Sequence, residues 1–155
     1  EAMGFIDFAG STVVHGIGGA CALAGVIVIG PRTGRFMANG RAYLIPGHNI
    51  TLAVLGAFIL FFGWFGFNAG SALAANMSVA RITVNTILAA SSGGLIGMCV
   101  FWKLEGKPEV GSVLNSILAG LVAITACCHC VSPVSALIIG GIAGVISSCG
   151  TILME

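Results

Sequence analysis

Apolar residues run almost without interruption through five stretches of this chain, and polar residues gather in the gaps between them. A helix crosses the hydrocarbon core of a bilayer in roughly 20 residues. On that rule the pattern predicts spans over residues 8–29, 50–74, 79–102, 113–130 and 134–154, the fourth being the shortest. Turn formers punctuate the gaps: Pro31 and Gly34 after the first stretch, Pro46-Gly47 before the second, and Gly106-Lys107-Pro108 after the third. Ser132-Pro133 separates the last two, with Pro133 suited to a first helical position. No linker is long enough to divide the chain, so 1–155 reads as part of a single membrane domain, an all-α polytopic transmembrane bundle of about five helices.

Composition supports that reading. Of the 155 residues 57% are hydrophobic and only 7% charged. A soluble domain carries about 25% charge to cover its surface. The net charge of +1 gives no electrostatic case for nucleic acid. The beginning lacks both an initiator Met and the basic start of a signal peptide, and the chain stops straight out of an apolar run, so it reads as a fragment of a larger protein. Arg32, Arg35, Arg41, Lys103 and Lys107 fall in gaps that share one side by parity, against Arg81 alone on the other. The positive-inside rule therefore places the 30–49 loop in the cytoplasm and Ser71 at the outer end of the second span, in a cell (plasma or inner) membrane.

Polar side chains inside the spans are costly and are the first candidates for function. Asp7, Ser11 and His15 are spaced by four, which predicts one polar stripe on the first helix, with His15 near the middle of the bilayer. Asp7 reads as a helix-start carboxylate facing the positive end of the dipole. His15 reads either as an interhelical hydrogen-bonding partner or as a contact for a guest; a neutral imidazole offers one donor and one acceptor, which suits an uncharged polar molecule better than a cation. The second span ends in Phe61-Phe62-Gly63-Trp64-Phe65-Gly66-Phe67-Asn68-Ala69-Gly70-Ser71. Phe67 and Ser71 share a face, and an aromatic ring beside a hydroxyl can hold a small cation. Helix packing with an aromatic belt explains the same residues. Gly66 with Gly70, Gly93 with Gly97 and Gly140 with Gly144 have small-residue packing spacing. Asn68, Asn85, Ser91, Ser92, Asn115 and Ser116 read as interhelical glue.

Cys127-Cys128-His129-Cys130 contains a C-x-x-C, but no second pair or suitably placed histidine follows, so packing at a helix end is preferred to a metal site. Neither a Gly-x-Ser-x-Gly, a His-Glu-x-x-His nor a P-loop is present, and no enzymatic activity or cofactor is expected.

Asp7-Phe8-Ala9-Gly10-Ser11-Thr12-Val13-Val14-His15 and Gly63-Trp64-Phe65-Gly66-Phe67-Asn68-Ala69-Gly70-Ser71 closely resemble two signatures of the ammonium transporter family, on its Amt side. Pro46-Gly47-His48-Asn49, Gly106-Lys107-Pro108 and Leu118-Ala119-Gly120-Leu121-Val122-Ala123-Ile124-Thr125 follow in the order that family uses. The resemblance implies a homotrimer whose protomer is an eleven-helix channel of two inverted halves, this chain being helices five to nine. It implies further that Ser71 receives ammonium at an outer site supported structurally by Asp7, that Phe67 gates the pore, and that His15 and Trp64 line it. The partners implied are ammonium and ammonia, with methylammonium as analogue, the lipid bilayer, and a cytoplasmic regulator or a fused signalling domain. The expected function is transport: capture of ammonium, loss of a proton, and passage of ammonia through an apolar pore. The alternatives are an ammonium sensor that conducts little or nothing, and a structural membrane module without a ligand. Cys127-Cys128-His129-Cys130 departs from the family's usual sequence at the outer loop.

Overall fold

A computed structural model describes residues 4–43 and 45–154. Among them the architecture is all-helical, the one exception being an isolated antiparallel bridge between Phe36 and Ala42 in the long loop. A short, widened helical segment, Ser11–Gly16, leads into α1 (Ile17–Ile29), followed by α2 (Ile50–Gly70), α3 (Met77–Glu105), α4 (Val110–Thr125) and α5 (Pro133–Met154). The continuous helix Ser11–Ile29 and α2, α3 and α5 are each long and apolar enough to cross a membrane.

Four of the five helices have bounds that differ by two or more residues from the hydropathy reading, among them α2, which ends at Gly70 rather than at residue 74. The first helix begins at Ser11 rather than at Phe8, because Gly10 adopts a left-handed conformation (φ 100°) that breaks it from the preceding residues. The third extends over 29 residues. The fourth ends at Thr125, so its 16 residues cover about 24 Å, short of the roughly 30 Å hydrocarbon thickness. Residues 126–130 form turns instead.

Side-chain oxygens stand in for the missing helical partners at three starts: Asn49 accepts from Leu52 N (3.0 Å), Asn76 from Ser78 N (2.9 Å) and Glu109 from Ser112 N (3.2 Å). Pro133 is the first residue of α5, as its sequence position predicts.

The core lies where α3, α4 and α5 meet, around Ile82, Ala89, Ile124, Cys128 and Ala136. Bare backbone makes that contact. A Cβ on Gly93 would lie 2.7 Å from the Ser116 carbonyl and 3.1 Å from that of Gly140, and Gly144 packs directly on the Gly93 backbone. Within this seam Ser148 donates to Gly97 O (3.0 Å) and meets the Ser116 hydroxyl at 3.2 Å. The expected Gly66–Gly70 packing face, by contrast, has nothing within 4 Å of either glycine among the described residues. No residue of α1 is buried, and α2 buries only Trp64 and Asn68. α2 packs on α3 and α4, whereas α1 joins the bundle chiefly through the Ser11–Gly16 segment that precedes it, and both leave apolar faces open.

Candidate functional site

The site is assembled by the break at Gly10. Val14 N and His15 N both reach Gly10 O, at 2.8 and 3.4 Å, and the second of these bonds spans one residue more than an α-turn. Asp7 lies outside the helix and accepts from Thr12 N (3.0 Å) and Val13 N (2.9 Å), so its carboxylate caps the widened turn. The predicted Asp7–Ser11–His15 stripe therefore does not exist as a stripe: Asp7 precedes the helix, and the turn that follows is not α-helical. Ser11 donates to Val122 O (2.8 Å), while Phe8 N and Ala9 N donate to Ala126 O and Thr125 O (3.0 and 3.3 Å), docking the segment on the end of α4.

This docking turns His15 toward α2. Its ring stacks on Trp64, with centroids 5.0 Å apart and planes 23° from parallel, and meets Phe67 at 5.4 Å. Trp64 and Phe67 are themselves 5.9 Å apart. His15, Trp64 and Phe67 thus form one aromatic wall, joined by Gly56, Ile59, Leu60 and Gly63 around a cavity of about 440 Å³. His15 Nε2 is buried and has no hydrogen-bond partner. Most buried polar atoms are paired, so an imidazole nitrogen without a partner among the described residues marks His15 as an exception in this packing.

Trp64 is only 8% exposed, and its indole N–H donates to Thr125 Oγ1 at 3.0 Å. Thr125 spends its own proton on Leu121 O (2.7 Å), which leaves its oxygen free only to accept. Sequence reasoning named Thr125 merely as the end of a motif. A single threonine closing an apolar run has no spacing that marks it. Thr125→Val keeps the shape and orphans the indole N–H, at a cost of about 1–3 kcal/mol. The expected outcome is a lower melting temperature in detergent with Thr125→Ser close to wild type; equal melting of all three would show that the bond carries nothing.

Ser71 follows α2 directly, one turn above Phe67, and donates to Phe67 O at 2.7 Å. With its proton committed inward, the hydroxyl oxygen presents lone pairs only, the polarity a cation requires. Below it, Asn68 donates to Thr86 (3.0 Å), and Asn85 clamps the turn after α4 through Cys128 O (2.9 Å) and Val131 O (3.0 Å). These asparagines join helix to helix and helix to turn, whereas Asn115 is exposed. The structure thus brings His15, Trp64, Phe67 and Ser71 along one face of α2 and leaves Asp7 behind the turn that carries His15.

All of residues 1–155 match the model of the Ammonium Transporter Family. The chain is 53% identical over 148 residues to the ammonium transporter Amt2 of Archaeoglobus fulgidus, covering 95% of this chain and 32% of that one. It is 46% identical to a putative ammonium transporter of Synechocystis sp., covering the whole of this chain and 36% of the relative. Among solved structures it superposes on a sensor Amt protein with a TM-score of 0.91 at 46% identity, covering 95% of this chain and 36% of that one. It superposes on Mep2 of Saccharomyces cerevisiae with a TM-score of 0.87 at 32% identity, covering 99% and 35%. The chain spans about a third of the length of these relatives.

Proposed function

Since the chain belongs to the ammonium transporter family, we propose that it forms the pore-lining section of an ammonium channel. Ammonium sheds water at an outer mouth where the Ser71 oxygen and aromatic faces replace part of its hydration. A proton passes to water at that mouth, because carrying an ion through apolar surroundings costs far more than carrying a neutral amine. Ammonia then passes Phe67 and hydrogen-bonds to His15 in the cavity walled by Trp64, while Asp7 fixes the turn that aims His15. The observation that carries this reading is the His15 ring, the one ionisable side chain lining a cavity whose other lining residues are all apolar. The open outer faces of α1 and α2 support seats for the remaining helices of an eleven-helix protomer, and for copies in a homotrimer. The five basic residues on one side support a cytoplasmic 30–49 loop in a cell membrane, with Ser71 outside, where a cytoplasmic regulator or a fused signalling domain would meet the opposite face.

The test is ammonium uptake by the full-length protein in proteoliposomes, read by internal pH, which rises as entering ammonia takes up a proton, and by current, which appears only if the proton crosses as well. Saturable flux with Ser71→Ala raising the half-saturating concentration about tenfold, the worth of one hydrogen bond to a charged group, supports capture at Ser71. Ammonium binding that depends on Ser71 without any flux, by current or by internal pH, would make the protein a receptor and overturn conduction.

A further inference from the structure

The turn after α4 carries a cysteine pair that the pore does not use. We propose that Cys127 and Cys130 are a dithiol that closes reversibly into a disulfide at the outer mouth, by exchange with a small soluble disulfide.

Cys130 N donates to Cys127 O at 3.0 Å, which makes 127–130 a four-residue turn. Such a turn holds its first and last Cα atoms within about 7 Å, and a disulfide needs a separation of about 4.4–6.8 Å. The Cys130 side chain folds back over the turn, its Sγ 3.3 Å from Cys127 O. Cys130 is exposed, Cys127 half-buried and Cys128 fully buried with its Sγ turned to Thr125 O, so the neighbour between them does not compete. Among the described residues no group of three or more His, Cys, Asp and Glu side chains gathers as a metal would require.

The step balances within the exchange. The Cys130 thiolate attacks glutathione disulfide, forms a mixed disulfide and expels one glutathione thiolate. The Cys127 thiolate then attacks Cys130 Sγ and expels the second. Two protein thiols are oxidised by two electrons, one glutathione disulfide is reduced to two thiols, and the two protons pass from protein to glutathione. The outer compartment of a cell favours the oxidised form.

The turn is also a seat. Phe8 stacks on His129 at 4.4 Å, Arg81 donates to His129 O, and Asn85 donates to Cys128 O and Val131 O. Closing the ring stiffens the surface that Phe8 rests on, one residue from the Asp7 cap of the turn that carries His15.

The inference rests on the orientation proposed above, and the test separates the two. Sealed right-side-out vesicles holding the full-length protein are treated with glutathione disulfide, which does not cross the membrane; free thiols are then blocked and the digest is read by mass spectrometry. The expected result is a Cys127–Cys130 link that a reductant reverses, with Cys127→Ser retaining a glutathione adduct on Cys130. A glutathione adduct on wild-type Cys130 without ring closure, a Cys130–Cys130 link between copies, or free thiols even after detergent opening would each overturn the pair. A Cys127–Cys130 link that forms only after detergent opening upholds the pair and overturns the orientation.

Discussion

Replacing His15 by alanine is expected to lower saturable ammonium flux at least about tenfold, with the protein still folding and reconstituting as wild type. The cavity beside His15 is walled by Ile59, Leu60, Trp64, Phe67 and two glycines, none of which offers a side-chain acceptor or a free donor to a guest, since the Trp64 N–H is already held by Thr125. Ammonia entering it would give up its water and meet no replacement. An unmade hydrogen bond in such surroundings costs about 1–3 kcal/mol, and each 1.4 kcal/mol on the barrier is tenfold in rate. The variant also removes the ring that stacks on Trp64, so a change in indole fluorescence reports whether the wall has collapsed or merely lost its polar atom. His15→Gln, which restores a donor and an acceptor without the ring, should recover part of the flux. Unchanged methylammonium uptake by His15→Ala would remove His15 from the conduction path.

What the sequence could show of all this depended on the length scale of the signal. A run of about 20 apolar residues is a bulk property, and the helices emerged close to where hydropathy put them. The events that aim the site are single-residue events. Gly10 turns left-handed, Asp7 reaches past the break to cap Thr12 and Val13, and the turn through His15 widens. None of these changes the average hydropathy, so the segment reads as an uninterrupted α-helix with a stripe that the structure does not contain. The end of α4 misleads for the opposite reason. Residues 126–131 are apolar enough to continue the helix, but tertiary contacts claim them: Phe8 N and Ala9 N take the carbonyls of Ala126 and Thr125, and Asn85 takes those of Cys128 and Val131. Of the site itself, His15 and Ser71 stand out as polar residues in apolar spans and Phe67 as the ring one turn from Ser71, whereas Trp64 is assigned to the pore only through the family resemblance. Thr125 does not stand out, because its importance lies entirely in a partner 61 residues away. The Gly66–Gly70 spacing is visible, but among the described residues no helix approaches it, since spacing does not name the partner.

Gly93→Val should prevent the chain from accumulating as a folded protein. Gly93 sits in the middle of α3 with α4 on one side and α5 on the other; its added Cβ would meet Ser116 O at 2.7 Å, Gly140 O at 3.1 Å and Gly120 Cα at 3.2 Å. All three are backbone atoms, so no side chain can rotate away. Relief requires helices to move apart, and that would also part Ser148 from Gly97 and from Ser116. Overpacking that side chains can absorb costs about 1–3 kcal/mol. Here the displacement is of whole helices, and the penalty is set against a total stability of only about 5–15 kcal/mol for a typical domain. Gly93→Ala should therefore melt measurably earlier in detergent, and Gly93→Val, whose second branch must be placed in the same seam, should give no monodisperse protein. The graded pair is what makes the result specific to packing, since both variants leave the site residues and the net charge untouched. Wild-type yield and melting for Gly93→Val would mean that α3, α4 and α5 do not approach through bare backbone, and the seat of Trp64 on Thr125 would lose the helix positions that define it.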